Sequence, residues 1–131
     1  MVQSKVVILG GAGFVGSRLG DQLANKDIVF KKYDIETKND VNILSLDIEE
    51  IETLNQLEGA DTIINLAAVH RDDIRPLSRY DDVNVKGSVN VCEAARKREI
   101  NKIIFTSSVA IYGFAPSNTD ESGEPNYFND Y

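Results

Sequence analysis

Gly10, Gly11, Gly13 and Gly16 follow directly on the apolar run Val6-Val7-Ile8-Leu9, and Phe14, Val15, Leu19 and Leu23 continue at helical spacing. Such a pattern predicts a buried strand, a tight turn and a helix. The glycines have separable uses: one turns the chain with positive φ, one lets backbone approach a ligand, and one lets helix and strand pack without an intervening side chain. The first N–H groups of a helix lack internal partners and carry the positive end of its dipole, so the turn is an anion seat that a diphosphate fits. Gly11, Gly13 and Gly16 satisfy G-x-G-x-x-G, while Gly10, Gly13 and Gly16 satisfy G-x-x-G-x-x-G; spacing alone leaves two dinucleotide-fold families open. Ser17 and Arg18 stand where a P-loop would require Lys and Ser or Thr. An ordinary glycine turn is the bland alternative.

Asp34 lies 18 positions beyond Gly16, close to the roughly 20 at which a carboxylate accepts from the adenosine ribose hydroxyls. A 2′-phosphate would meet that charge, so NAD is favoured as cofactor, with Lys31 and Lys32 keeping NADP open. A plain strand-end turn would also explain the Asp. Asp47-Ile48 reads two ways: the carboxylate caps the next helix, or the pair brackets an adenine edge with a hydrogen bond and an apolar contact.

These residues need a scaffold that brings them together. The first helix fades around Asn25; Ile28 to Tyr33 predicts a second strand ending at Asp34, and Asn42 to Leu46 a short third one closed by Asp47. Ile48, Ile51, Leu54 and Leu57 give the next helix its apolar stripe. Thr62 to Leu66 reads as a fourth strand buried on both faces, followed by Ala67 and Ala68. A long helix is expected from about Ser78 or Arg79 to Glu99, carrying Val83, Val85, Val89, Val91, Ala94 and Ala95 inward. Lys102 to Phe105 starts a fifth strand that ends in Thr106-Ser107-Ser108, and from Tyr112 onward turn-forming residues dominate a long loop. Alternating strands and helices imply an α/β fold: a doubly wound, Rossmann-like parallel sheet in the order 3-2-1-4-5. Ligands of such sheets lie at the carboxyl ends of the strands, where strand order reverses, and the candidates nearly all fall there.

The 131 residues suit one domain, and 42% hydrophobic content is enough for a core. A net charge of −7 with scattered basic residues argues against nucleic-acid or anionic-membrane partners. One His and one Cys make a metal site an unsupported reading; Cys92 reads as a small core hydrophobe. His70, Arg71, Asp72 and Asp73 read as a solvated charge cluster rather than a ligand mouth. Without a signal-like or membrane-spanning run, a soluble, cytoplasmic setting is expected.

Taken together, the chain resembles the extended short-chain dehydrogenase/reductase family, the NAD-dependent epimerase/dehydratase group acting largely on nucleotide sugars. Its motifs stand here as Gly10, Gly13 and Gly16; Asp34; Asp47-Ile48; Leu66-Ala67-Ala68; the unbroken NVxGxxNV from Asn84 to Val91; and Ser107-Ser108-Val109-Ala110-Ile111-Tyr112-Gly113, with Ile in place of the motif's Val. The resemblance implies that NAD is the cofactor, that Ala67 and Ala68 leave room for it, and that Asn84 ties its helix to backbone beneath the nicotinamide. It implies that Ser108 hydrogen-bonds the reacting sugar hydroxyl and that Tyr131, 23 positions further on, is the general base, with Tyr127 as competitor. A phenol serves as a base when a nearby ammonium favours its ionised form, and the family's Lys would stand four positions after Tyr131. Residues 1–131 are therefore expected to be the NAD-binding, N-terminal segment of a nucleotide-sugar epimerase or dehydratase, incompetent in isolation. A sheet that stops after strand 5 leaves apolar surface uncovered, which suggests a homo-oligomer or the rest of a longer chain as cover. A non-catalytic NAD-binding regulatory module and an NADP-dependent reductase of the same superfamily are the alternatives.

Overall fold

The computed structural model describes residues 5–131. Strands β1 (Val6–Leu9), β2 (Phe30–Asp34), β3 (Ile43–Ser45), β4 (Thr62–Asn65) and β5 (Lys102–Phe105) form one sheet. Every pairing is parallel and the order is β3-β2-β1-β4-β5, as the alternation of strands and helices predicts. Leu9 sits opposite Tyr33 on one side and Asn65 on the other, so the central strands end level with one another. Their carboxyl ends consequently form a shared edge.

β1 and β4 are almost wholly buried because helices cover both faces. On one face Val7, Leu9, Tyr33 and Ile63 pack with Leu54, Leu57, Val91, Ala94, Ala95 and Ile100. On the other, helix α1 (Phe14–Ala24) lies close to the sheet through its buried Gly16 and Gly20. A Cβ on Gly16 would stand 2.5 Å from the Gly10 carbonyl oxygen and 2.7 Å from the Gly11 Cα, distances at which backbone has to move. Gly10 adopts φ +78, and a side chain there would meet the Leu66–Ala67 peptide at 2.8 Å. Burial also raises the pKa of Tyr33, whose hydroxyl donates to the Gln56 carbonyl at 3.1 Å.

Several boundaries differ from those expected. β2 starts at Phe30 rather than Ile28, although the Val29 carbonyl already accepts from Val6 N at 3.1 Å. β3 keeps only Ile43–Ser45, and β4 ends at Asn65. The segment after β3 is a 3₁₀ helix, Ile51–Leu57, whose buried Leu54 and Leu57 fall on one side because residues three apart eclipse in that geometry. Ile48 precedes it and is buried in the core, whereas Ile51 is exposed.

The long helix is continuous but not uniform. It runs as α2 (Ser78–Tyr80), a π-helical segment (Asp81–Gly87) and α3 (Ser88–Lys97). It ends at Lys97 rather than Glu99: Glu99 takes φ +55 and Ile100 N bonds back to the Ala95 carbonyl at 2.9 Å, closing the last turn. Val85 and Val89 do not face inward; they are 55% and 50% exposed. At about 100° per residue they lie four apart on the side opposite Val91, so the valines of this helix occupy two faces.

β5 is the exposed edge, with Ile103, Ile104 and Phe105 all substantially open to solvent. Leu54→Ala is expected to cost about 2–5 kcal/mol in urea unfolding, since its side chain is fully buried. Gly16→Ala is expected to cost roughly 1–3 kcal/mol by the same measurement, through backbone displacement at the β1–α1 junction.

Candidate functional site

Along the shared edge the strand ends surround a cleft of about 610 Å³. The strand-end candidates line it: Gly10, Gly13, Phe14, Val15 and Gly16 after β1, Asp34 at the end of β2, Asp47 and Ile48 after β3, Leu66, Ala67 and Ala68 after β4, Asn84 on the π-helical segment, Ser108 after β5, and Tyr131; Gly11 does not. A cleft of this size at a topological switch point lies within the range of cofactor sites.

The glycine-rich turn forms one wall. Gly13 N donates to the Gly10 carbonyl at 3.2 Å, and Ser17 N to the Gly13 carbonyl at 3.0 Å opens the helical ladder. The N–H groups of Phe14, Val15 and Gly16 therefore precede the first intrahelical donor and point into the cleft end of α1. Gly13 is different in kind from Gly10 and Gly16: its φ −71 and ψ 176 suit any residue, and a Cβ there meets only the Gly10 carbonyl, at 3.3 Å. Its missing side chain leaves open the space in front of those donors. Phe14 and Val15 are not packed inward as their spacing suggests; Phe14 is 73% exposed, with the Arg18 guanidinium 3.7 Å above its ring.

Asp34 is oriented by backbone N–H groups. Its Oδ2 accepts from Ala12 N at 2.9 Å and its Oδ1 from Glu36 N at 3.1 Å, which leaves outward lone pairs on both oxygens. A cation that sequence reading missed bonds to this turn: Lys38 Nζ donates to the Ala12 carbonyl at 2.9 Å. Lys31 is exposed and Lys32 lies 3.9 Å from Asp40.

Asp47 does not cap the following helix. Its Oδ1 accepts from Glu49 N at 2.9 Å, a local turn, and the helix starts from Glu50 with no side-chain cap. Ile48 forms the cleft floor, packed so closely on the helix behind it that a Cβ at Gly87 would stand 2.7 Å from Ile48 Cδ1. Glu49 and Arg79, neither anticipated, line the same end in a bidentate pair, with both N···O distances 2.7 Å. Hydrogen bonding to Glu49 raises the Arg79 pKa.

Asn84 bonds the Val69 backbone twice: its Oδ1 accepts from Val69 N and its Nδ2 donates to Val69 O, each at 2.8 Å. Both ends of the amide are satisfied, and the loop after β4 is fixed to the helix across the cleft. Asn90 makes a second tie, donating to the carbonyls of Ile48 at 2.9 Å and Glu49 at 3.2 Å. An Asn in an apolar helical stretch was the available signal for both.

Ser108 Oγ accepts from Ala110 N at 3.1 Å, which leaves its own hydroxyl proton free to donate. Tyr131 is 41% exposed, and Tyr127 lines the cleft as well. The loop carrying them is anchored three ways: Asn126 N to the Ile111 carbonyl at 2.7 Å, Phe114 against Phe128 with ring centres 5.5 Å apart, and Asn129 Nδ2 to Asp72 at 3.1 Å. The charge cluster after β4 divides: His70 lines the cleft, whereas Arg71 pairs with Asp73 on the exposed outside. Among the described residues no helix is long and apolar enough to cross a membrane.

Comparison with known proteins agrees with this arrangement. The family model described as the NAD dependent epimerase/dehydratase family matches residues 6–131. The N-acetyl-alpha-D-glucosaminyl-diphospho-ditrans,octacis-undecaprenol 4-epimerase of Escherichia coli O157:H7 is 41% identical over 133 residues, covering 99% of this chain and 40% of that protein. UDP-glucose 4-epimerase of Neisseria meningitidis serogroup C is 28% identical over 129 residues, covering 83% of this chain and 38% of its own length. Among solved structures, UDP-glucose 4-epimerase from Brucella ovis in complex with NAD aligns with a TM-score of 0.88 at 26% identity, over 98% of this chain and 43% of that one. The chain thus spans about two-fifths of the length of these curated relatives. With its sheet order, its glycine turn and this match over nearly every residue, the chain belongs to the NAD dependent epimerase/dehydratase family.

Proposed function

We propose that this chain binds NAD in the cleft and provides the cofactor site and the catalytic Ser and Tyr of an enzyme that inverts a stereocentre of a diphosphate-linked sugar. The observation that carries the reading is Gly13: its backbone angles suit any residue, and a Cβ there would meet only the Gly10 carbonyl, at 3.3 Å, a tight contact but a milder one than the 2.5 Å at Gly16, so its lack of a side chain chiefly serves the ligand space in front of the α1 N-terminus. A diphosphate there accepts from the first helical N–H groups. Asp34, held by Ala12 N and Glu36 N, then accepts from the adenosine ribose hydroxyls, and Asp47 with Ile48 meets the adenine edge. At the far end Leu66, Ala67 and Ala68 leave room against backbone, and Asn84 fixes the loop beneath them.

Bound there, the nicotinamide supplies a reversible hydride acceptor, so that oxidation and re-reduction of one sugar carbon give epimerisation without net redox change. The protein's own part is proton transfer and alignment. The Ser108 hydroxyl orients the reacting sugar hydroxyl, and the Tyr131 phenolate removes its proton. Support comes from the two groups lining one cleft and from the three anchors that hold the Tyr131 loop.

Two carriers of the sugar fit the family. A nucleotide is the reading from sequence motifs and matches the name of the Neisseria relative, while the Escherichia coli relative, at 41% identity, is named for a sugar on undecaprenyl diphosphate. The higher identity favours the polyprenol carrier as the second reading; the sugar diphosphate is common to both.

Titration calorimetry of the 131-residue chain with NAD is expected to show one site per chain, and absence of heat with either NAD or NADP would overturn the proposal. Gly13→Ala is expected to weaken NAD at least tenfold while lowering the urea midpoint less than Gly16→Ala does. In the enzyme of family length, Tyr131→Phe is expected to lower kcat by more than about a hundredfold with little change in KM. Turnover of UDP-sugars set against polyprenyl-diphospho-sugars names the carrier; NAD binding without turnover of either would leave a non-catalytic module, and net NADPH oxidation a reductase.

A further inference from the structure

The two ends of the cleft are not equally furnished, and the end beyond Asp34 carries an arrangement that the proposed chemistry does not use. With the diphosphate at Gly13 and the ribose at Asp34, the purine of a dinucleotide extends towards the end of β3, where residues 47–49 face α2. There Arg79 Nη1 and Nη2 meet Glu49 Oε1 and Oε2, both at 2.7 Å, in the fork-to-fork geometry of a planar pair. Glu49 is itself fixed, its N–H donating to Asp47 Oδ1 at 2.9 Å and its carbonyl accepting from Asn90 Nδ2 at 3.2 Å. The Arg79 side chain nevertheless remains 37% exposed and lines the cleft, as does Glu49. A guanidinium whose terminal edge is occupied by a carboxylate has its flat faces left to offer. Guanidinium faces stack on aromatic rings, and a fixed plane forfeits less freedom in doing so than a free side chain would.

We infer that Arg79 is an adenine-stacking residue, a flat cationic wall of the purine pocket, and that Glu49 is the positioning residue that sets its plane. The inference rests on the reading that the cleft holds NAD, and it assigns the pair to the adenine half alone. Arg79→Lys keeps the charge and removes the plane, so it separates stacking from a simple field effect.

The test measures wild type, Arg79→Lys and Glu49→Gln by calorimetry with NAD and by ligand-observed NMR with nicotinamide mononucleotide, which has no adenine. Expected are a roughly tenfold rise of the NAD Kd in Arg79→Lys, roughly threefold in Glu49→Gln, and mononucleotide binding within twofold of wild type in both. Wild-type NAD affinity in Arg79→Lys, or equal weakening of both ligands, would overturn the inference and leave NAD binding intact. Should Arg79→Lys melt early, contacts between the adenine protons and the Arg79 Hδ protons are sought by NMR in the NAD-bound wild type, and their absence is equally decisive against stacking. A wild type that binds neither NAD nor the mononucleotide removes the functional reading and this inference together.

Discussion

The whole arrangement depends on the close approach of α1 to the end of β1. Gly16 stands against the Gly10 carbonyl with no room for a Cβ, and this distance, not the glycine count, sets where the helix begins. Because β1 is the central strand, paired with β2 on one side and β4 on the other, the start of α1 is delivered to the middle of the sheet edge. Gly10 completes the approach by turning with positive φ directly against the Leu66–Ala67 peptide, so the turn after β1 and the chain after β4 lie against each other. A helix terminus a few ångströms further out would still be polar but would no longer meet the strand-end carboxylate of Asp34. The Ala12 N–H that Asp34 holds belongs to this same turn.

Around that fixed point the rim is assembled by side chains that bond to backbone. Asn84 grips Val69, Asn90 grips Ile48 and Glu49, Asp34 grips Ala12 and Glu36, and Lys38 grips the Ala12 carbonyl from the outside. Each tie joins an element of regular structure to a loop, or one loop to another. Loops at a sheet edge have few apolar contacts of their own, and buried backbone groups without partners are costly. Polar ties answer both needs. The loop that carries Tyr131 follows the same logic with Asn126 and Asn129, aided by the contact between Phe114 and Phe128.

Strand order and the strand-end positions were legible in the sequence because both follow from pattern: apolar runs separated by helical stretches leave few topologies, and each candidate stood just after such a run. What was less legible depended on distance between segments far apart in sequence. Nothing local distinguishes Arg79 from any helical arginine, and its pairing with Glu49 spans 30 positions. Lys38 likewise lies in a polar loop, and only the return of that loop to the glycine turn makes it relevant. Val85 and Val89 misled for a different reason, since valine content was counted where angular position decides burial. The 3₁₀ geometry after β3 was hidden because Leu54 and Leu57 satisfy a three-residue and a 3.6-residue period equally well.

The amide of Asn84 has one further consequence. A carboxylate in its place could accept from Val69 N but not donate to Val69 O, and would carry a charge that comes and goes with acidity; the amide makes both bonds and carries no charge. Asn90 holds its two carbonyls in the same charge-neutral way. These two ties, unlike the charged ones made by Asp34, Lys38 and the Glu49–Arg79 pair, are therefore indifferent to proton concentration over the whole physiological range and little affected by dissolved electrolyte. A proton can move at the Ser108 and Tyr131 end of the cavity without loosening the two amide ties that hold Val69, Ile48 and Glu49.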